Sequence, residues 1–112
     1  MKPSLYLAVA AAVIAVSATV FYNTAAEVAP ASTFVLLDGS KRASEDLKGR
    51  VTLVNFWATS CVTCVAEMPK VISTYQKYHA RGFDTIAVAM SYDPPSYVVN
   101  FTETRKLPFQ VA

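Results

Sequence analysis

The sequence is poor in the residues that build metal centres and nucleic-acid surfaces. It has two cysteines, one histidine and a formal net charge of +2 in 112 residues. We expect no nucleic-acid partner, because this charge is too small and too dispersed to form a basic surface. A structural zinc site needs four ligands, and His79 is the only soft ligand besides the cysteines, which argues against a bound metal.

Charge is absent from one long stretch near the amino terminus. Residues 5–22 carry no charged side chain, and only Ser17 and Thr19 interrupt them as polar residues. As a helix they would span about 27 Å at about 1.5 Å per residue, nearly the thickness of a bilayer's hydrocarbon core. Residues 1–22 are therefore predicted to be a membrane anchor. A cleaved signal segment is the alternative, since the small residues at 24–26 offer a peptidase site.

The flanking charges predict how this segment is oriented. Lys2 precedes it and Glu27 is the first charge after it, so the positive-inside bias places the amino terminus in the cytoplasm. Residues 23–32, rich in alanine and containing Pro30, are typical of a linker. Residues 33–112 would then face the periplasm or the cell exterior from a bacterial cytoplasmic membrane.

Both cysteines lie where a strand is predicted to meet a helix. The run Val51–Trp57 is mostly β-branched and aromatic, as expected of a strand buried on both faces. The helical period of three and four follows the cysteines, at Val65, Met68, Val71, Ile72 and Tyr75. This helix should run to about Ala80, with Gly82 in the position that stops a helix. Cys61 and Cys64 are thus predicted at a strand-to-helix junction.

The remaining pattern is that of an α/β domain. Residues 34–37 predict a strand followed by a turn, and residues 43–49 predict a helical turn. The apolar run within residues 83–90 predicts a second buried strand, parallel to the first because a helix connects them. A helix over residues 96–106 and a strand beginning at Phe109 complete the prediction.

The spacing of the cysteines favours redox chemistry over a structural role. A thiol reacts as the thiolate, and the unpaired N–H groups and dipole of a helix N-terminus favour that form at Cys61. Cys64 lies on the same face one turn further on, where it can close a disulfide and release a captured substrate. A purely stabilising disulfide is disfavoured, since so short a loop removes little entropy from the unfolded chain. An inert buried pair remains the alternative.

With the preceding strand and Trp57, the Cys61-x-x-Cys64 motif resembles the thioredoxin fold, and closely the membrane-anchored thiol-disulfide oxidoreductases of the TlpA and ResA type. The likeness covers about residues 33–112, including Asn55-Phe56-Trp57-Ala58 and Glu67-Met68-Pro69. It implies a central mixed sheet with flanking helices, with Cys61 as nucleophile and Cys64 as resolving thiol. It also implies that the last strands, the final helix and a cis-proline loop are missing, so that the domain is incomplete.

The resemblance further implies partners and a third catalytic residue. Family members of this type reduce disulfides outside the cytoplasmic membrane, often in apocytochrome c, and receive electrons from a membrane thiol carrier. We expect the same partners here and no cofactor beyond the redox-active pair. Glu67 is assigned as the base that accepts the proton of Cys64, since partial burial would raise its pKa toward the working range. The alternative is an exposed glutamate of the first helical turns.

Substrate docking is assigned to residues around the pair, namely Trp57, Ser60, Val62 and Thr63. Trp57 is expected to pack beside the cysteines and to shape the docking surface. Ser60 and Thr63 stand where the family often has tryptophan and proline. A second class of function stays open, a thioredoxin-like binding module that holds a metal or partner without turnover. The copper-handling relatives separate their cysteines by three residues and add a histidine, which argues against that class.

Overall fold

The structure is a computed structural model, and it describes residues 3–24 and 26–112. They fall into two compact units, divided after Pro30. Lys2 and Ala25, on which the predicted orientation and the candidate cleavage site depend, lie outside the described residues.

The first unit contains one helix, α1 (Pro3–Asn23), of 21 residues. By length and composition it is able to cross a membrane. The hydroxyl groups of Ser17 and Thr19 bond within the helix, since each donates to a carbonyl four residues earlier at 2.8 Å. Such bonding suits an apolar environment, where an unsatisfied polar group costs several kcal/mol.

The second unit alternates strands and helices. In chain order its elements are β1 (Thr33–Val35), β2 (Lys41–Ala43), a 3₁₀ turn (Ser44–Leu47), β3 (Val51–Trp57), α2 (Val62–Tyr78), a second 3₁₀ turn (His79–Arg81), β4 (Phe83–Ala89), α3 (Pro95–Arg105) and β5 (Gln110–Val111). Strands β3, β4 and β5 form a parallel sheet in that order, and β1 pairs with β2 as an antiparallel hairpin. One backbone hydrogen bond, from Leu37 to Val111 at 3.1 Å, links hairpin and sheet. The predicted parallel β3–α2–β4 unit is confirmed.

Strand β3 is less buried than the sequence predicted. Among the described residues it pairs only with β4, so its outer edge has no strand partner there. Val51 and Phe56 are 72% and 63% exposed. The prediction of burial on both faces was therefore wrong for β3. It describes β4 better, because that strand lies between two others and buries Ile86 and Ala87 completely.

The hairpin contains a strand that the sequence pattern did not predict. β2 pairs with β1 in the register Thr33 to Ala43 and Val35 to Lys41. The turn between them is closed by Asp38, whose carboxylate accepts hydrogen bonds from the backbone and hydroxyl of Ser40 at 2.9 and 2.6 Å. These bonds lower the pKa of Asp38. The predicted helical turn is present, as the 3₁₀ turn that begins at Ser44.

A largely buried ion pair fastens the hairpin to the sheet. Arg42 of β2 contacts Asp84 of β4 at 3.0 Å and also donates to the side chain of Gln110 in β5. Asp84 is 8% exposed, and its other oxygen accepts from the backbone N–H of Thr85 at 2.8 Å. Arg42, Asp84 and Tyr75 line one cavity. Burial raises the pKa of Tyr75, and the charge of Asp84 raises it further.

The hydrophobic core lies behind the cysteine pair. Its buried members come from β3, α2, β4, α3 and the β5 region: Trp57, Met68, Ala87, Val98, Phe109 and Val111. The rings of Trp57 and Phe101 are 4.9 Å apart between centroids. Cys64 packs against this cluster. Cys64 is thereby placed between core and surface.

Candidate active site

The cysteine pair lies at the carboxyl end of β3, where the chain enters α2. Cys61 is the N-cap residue of α2, with extended backbone at φ −84° and ψ 99°. Cys64 follows within the first turn, and the two residues form a disulfide with their Cα atoms 5.2 Å apart. The predicted strand-to-helix junction is confirmed.

Polar groups surround the sulfur of Cys61. The backbone N–H of Cys64 donates to it at 3.2 Å, and the hydroxyl oxygen of Thr63 lies 3.5 Å away. A cysteine at an N-cap takes the place of the oxygen that usually accepts the first free N–H groups of a helix. In the reduced protein, this donor and the helix dipole both favour the thiolate of Cys61.

The surroundings of the pair are open to partners. Both cysteines are half-buried, whereas Ser60 and Thr63 are exposed and Val62 is 82% exposed. These three side chains face outward, as a docking surface requires. Their role in docking stays a prediction.

Trp57 packs beside the cysteine pair but lies beneath the surface. It packs in the same core cluster as Cys64, as predicted, but its side chain is only 1% exposed. A substrate cannot contact so deeply buried a ring. Its part in docking stays a prediction, in which the indole supports the surface from beneath by packing against Phe101.

Glu67 is also more exposed than predicted. Its side chain is 60% exposed and accepts a hydrogen bond from Lys70 at 3.0 Å. The neighbouring Met68 is 2% exposed and points into the core, so Glu67 falls on the outer side of α2. The expected partial burial is therefore wrong, and the role as base for Cys64 stays a prediction.

One residue of the site was missed by the sequence reasoning. Asp93, which lies in the loop after β4 directly before two prolines, is 7% exposed. Its carboxyl group accepts hydrogen bonds from both the backbone N–H and the hydroxyl of Thr59, at 2.6 Å each. The carboxyl ends of parallel strands share one edge of a sheet. This topology predicts that Thr59 after β3 and Asp93 after β4 lie close together.

The site contains no recognisable metal centre in the described parts of the chain. Residues 3–24 and 26–112 include no group of three or more histidine, cysteine or acidic side chains that is able to hold an ion. His79 follows the far end of α2 and contacts Tyr75 at 3.4 Å. The expectation that no cofactor beyond the disulfide is used stays a prediction.

A parallel βαβ unit with a Cys-x-x-Cys disulfide at the N-cap of its helix defines a thioredoxin-fold protein. More specifically, the chain belongs to the Redoxin family, whose model matches residues 24–112. The predicted thioredoxin-like fold and the TlpA/ResA-like resemblance are confirmed.

Individual relatives agree with this assignment. The thiol-disulfide oxidoreductase ResA of Bacillus cereus is 38% identical over 76 residues, which are 68% of this chain and 43% of that protein. A solved structure from Neisseria meningitidis, assigned to the thioredoxins, is 43% identical with a TM-score of 0.68, covering 74% of this chain and 55% of that one. A thioredoxin-family thiol:disulfide interchange protein from Chlorobium tepidum TLS is 30% identical, with a TM-score of 0.67 and coverage of 77% and 61%. The chain thus spans about half the length of these relatives.

Proposed function

We propose that the protein is an extracytoplasmic thiol-disulfide oxidoreductase that reduces protein disulfides through Cys61 and Cys64. The observation that carries the proposal is the half-exposed disulfide at the N-cap of α2, with a backbone N–H donated to the sulfur of Cys61 at 3.2 Å. Relatives that carry the name thiol-disulfide oxidoreductase support the same activity.

The proposed reaction transfers two electrons to the substrate. The thiolate of Cys61 attacks one sulfur of a substrate disulfide, which forms a mixed disulfide and expels the other substrate sulfur as a thiolate. Cys64 then loses its proton and attacks the sulfur of Cys61, closing the internal disulfide and releasing the second substrate thiolate. Glu67 is the proposed acceptor of that proton. A membrane thiol carrier reduces the pair again, and no further cofactor takes part.

The two cysteines have different positions that suit these roles. Cys61 receives the N–H group and dipole of the helix N-terminus, whereas Cys64 packs against the hydrophobic core. The better stabilised thiolate of Cys61 attacks an incoming protein, and the thiol of Cys64, packed against the core, attacks afterwards. Proteins outside the cytoplasm that carry disulfides are the proposed substrates, apocytochrome c among them.

Trapping of mixed disulfides tests this division of roles. We expect Cys64→Ser to accumulate mixed disulfides through Cys61, because the resolving thiol is absent, while the matched Cys61→Ser variant captures nothing. Non-reducing electrophoresis and mass spectrometry of each variant with a disulfide-bonded model protein provide the measurement. Equal trapping by both variants would refute the assignment.

The proposed location depends on α1 remaining uncut. We expect the chain to fractionate with membranes and to resist extraction by salt, because an apolar helix of 21 residues holds it there. The amino terminus would lie in the cytoplasm and the redox domain outside. Recovery of a soluble species beginning near Glu27 would show a cleaved signal segment instead.

A further inference from the structure

Asp93 is a buried carboxyl group that the proposed reaction does not use. It is 7% exposed, and both of its oxygens accept hydrogen bonds from one residue, Thr59. The backbone N–H of Thr59 donates to Oδ2 and its hydroxyl donates to Oδ1, each at 2.6 Å. A single side chain thus joins the loop after β4 to the loop after β3.

The loop that carries Asp93 is itself held in place. The N–H of Asp93 donates to the carbonyl of Met90 at 2.9 Å, and the N–H of Met90 donates to the carbonyl of Trp57 at 2.9 Å. Pro94 and Pro95 follow Asp93 and have no backbone N–H to offer its carboxyl group. The carboxyl group of Asp93 therefore bonds to the loop after β3, while its own loop is held by backbone hydrogen bonds.

Thr59 stands two residues before the nucleophile. The N–H of Cys61 donates to the carbonyl of Ala58 at 3.1 Å, and Ala58 is 1% exposed. The segment 58–60 is therefore anchored by the core on one side and by Asp93 at its centre. The extended backbone of Cys61, which places its sulfur over the helix N-terminus, continues directly from this segment.

We infer that Asp93 is a positioning residue for the redox pair. Through Thr59 it holds segment 58–60 so that Cys61 stays within bonding reach of Cys64. The inference rests on the proposed function. Two reacting groups that are held close have a high effective concentration, which favours the bond between them. A looser segment therefore lowers the equilibrium constant for closing the disulfide, and the pair becomes more oxidising.

The test measures that constant in the full chain in detergent micelles. The protein is equilibrated with mixtures of reduced and oxidised dithiothreitol, free thiols are alkylated, and mass spectrometry gives the oxidised fraction. We expect Asp93→Ala to lower the constant about tenfold, which corresponds to about 30 mV. Thr59→Val keeps one of the two bonds and should lower it about threefold.

Two further variants separate bonding from other effects. Asp93→Asn retains both contacts, because its carbonyl accepts from the N–H of Thr59 while its amide donates to the hydroxyl oxygen. We expect its constant to remain within about twofold of the parent's. Thr102→Val is the control for loss of a threonine hydroxyl, since that group bonds within α3, to the carbonyl of Val98 at 2.8 Å. It should leave the constant unchanged.

A merely structural role predicts a different result. The variants would then lower the melting temperatures of the oxidised and reduced forms equally and leave the constant unchanged, which would overturn the inference. A shift in Asp93→Asn as large as in Asp93→Ala would also overturn it, because charge and not bonding would be responsible. If Asp93→Ala does not fold, the equilibrium constants of Thr59→Val and Asp93→Asn are compared with the parent's instead, and a Thr59→Val constant equal to the parent's overturns the inference.

Failure of the proposed function gives a distinct result. A parent protein that does not exchange with dithiothreitol at all would refute the proposed function, and the inference with it. A parent protein that exchanges normally, beside Asp93 and Thr59 variants with unchanged constants, would refute the positioning role alone.

Discussion

Two aspartates near opposite ends of the central strand β4 are buried to the same degree but bonded to different parts of the protein. Asp84 is 8% exposed and Asp93 is 7% exposed. Asp84 contacts Arg42 and thereby fastens the hairpin to the sheet. Asp93 accepts both hydrogen bonds from Thr59, beside the cysteines. Burial alone therefore does not tell which of the two residues serves assembly of the fold and which serves the redox site.

The chemistry of their partners makes the difference. The side chains of Arg42 and Asp84 are 20% and 12% exposed, so two opposite charges are largely removed from water and depend on each other. The partners of Asp93 are an N–H group and a hydroxyl, both on one residue. The first arrangement resists separation of two strands, and the second fixes the position of one short segment.

The largest expected effect is on stability, at the Asp84 end. We expect Asp84→Ala to lower the free energy of unfolding by about 3 kcal/mol, because it leaves the charge of Arg42 without its partner in a largely buried place. The dithiol–disulfide constant should stay within about twofold of the parent's. Urea unfolding and equilibration with dithiothreitol provide the two measurements.

An exposed ion pair supplies the control for that variant. Glu45 and Lys48 contact each other with side chains that are 66% and 75% exposed. Glu45→Ala should therefore cost less than about 1 kcal/mol. If Asp84→Ala moves the redox constant as far as Asp93→Ala does, the two aspartates do not have separate roles.

A smaller effect is expected at the cysteine end, from Glu67→Gln. If Glu67 accepts the proton of Cys64, its loss slows the decay of the mixed disulfide, while formation of that species by Cys61 is unchanged. We expect a slowing short of the roughly 10²-fold typical of general bases, because water reaches a side chain that is 60% exposed. Stopped-flow reduction of a peptide disulfide across about pH 5 to 9 follows both steps.

Lys70→Met is the matched variant for Glu67→Gln, since it removes the ion pair and keeps the carboxylate. It should leave the decay rate unaltered. If the decay rate and pH profile of Glu67→Gln agree with the parent's within about twofold, Glu67 does not act as the base for Cys64 and only forms the ion pair with Lys70.

The smallest effect concerns Tyr75, which shares the Asp84 end of the molecule. Burial raises its pKa above the ordinary value of 10.0, and the charge of Asp84 adds to the rise. The folded protein then holds this proton more tightly than the unfolded chain, so its contribution to stability is complete below pH 10 and declines as the pH rises through the folded pKa. Above pH 10 the parent should therefore lose stability relative to Tyr75→Phe, which has no phenol to ionise.

Urea unfolding of both proteins at pH 8, 9 and 11 measures this difference. In an Asp84→Ala background the change above pH 10 should be smaller, because one cause of the raised pKa is gone. A difference that is constant over this pH range would show that Tyr75 is not coupled to folding in this way.

The sequence predicted the elements with strong local patterns. Apolar periodicity and the stop at Gly82 sufficed for β3, α2 and β4, and the spacing of Cys61 and Cys64 sufficed to place the pair. β2 was missed because Lys41-Arg42-Ala43 has no apolar alternation, and tertiary contacts of Arg42 hold it in place.

The features of the site that the sequence did not predict share one physical cause. The exposure of Glu67, the burial of Trp57 and the bonding of Asp93 all depend on which face of an element meets the core or a neighbouring loop. Sequence spacing gives the period of an element, but the orientation of individual side chains is decided by packing between distant segments. Asp93 and Thr59, separated by 34 residues, are the clearest example.

The central claim is that the disulfide at the N-cap of α2 exchanges with thiols and that the protein acts as a reductant. The reduction potential of the Cys61–Cys64 pair tests this claim most directly. The oxidised and the reduced full chain are each equilibrated with mixtures of reduced and oxidised dithiothreitol or glutathione. We predict complete and reversible exchange, with a potential near the roughly −270 mV of thioredoxin. A potential near −120 mV, typical of a strong protein oxidant, or a pair that does not exchange within hours would contradict the claim.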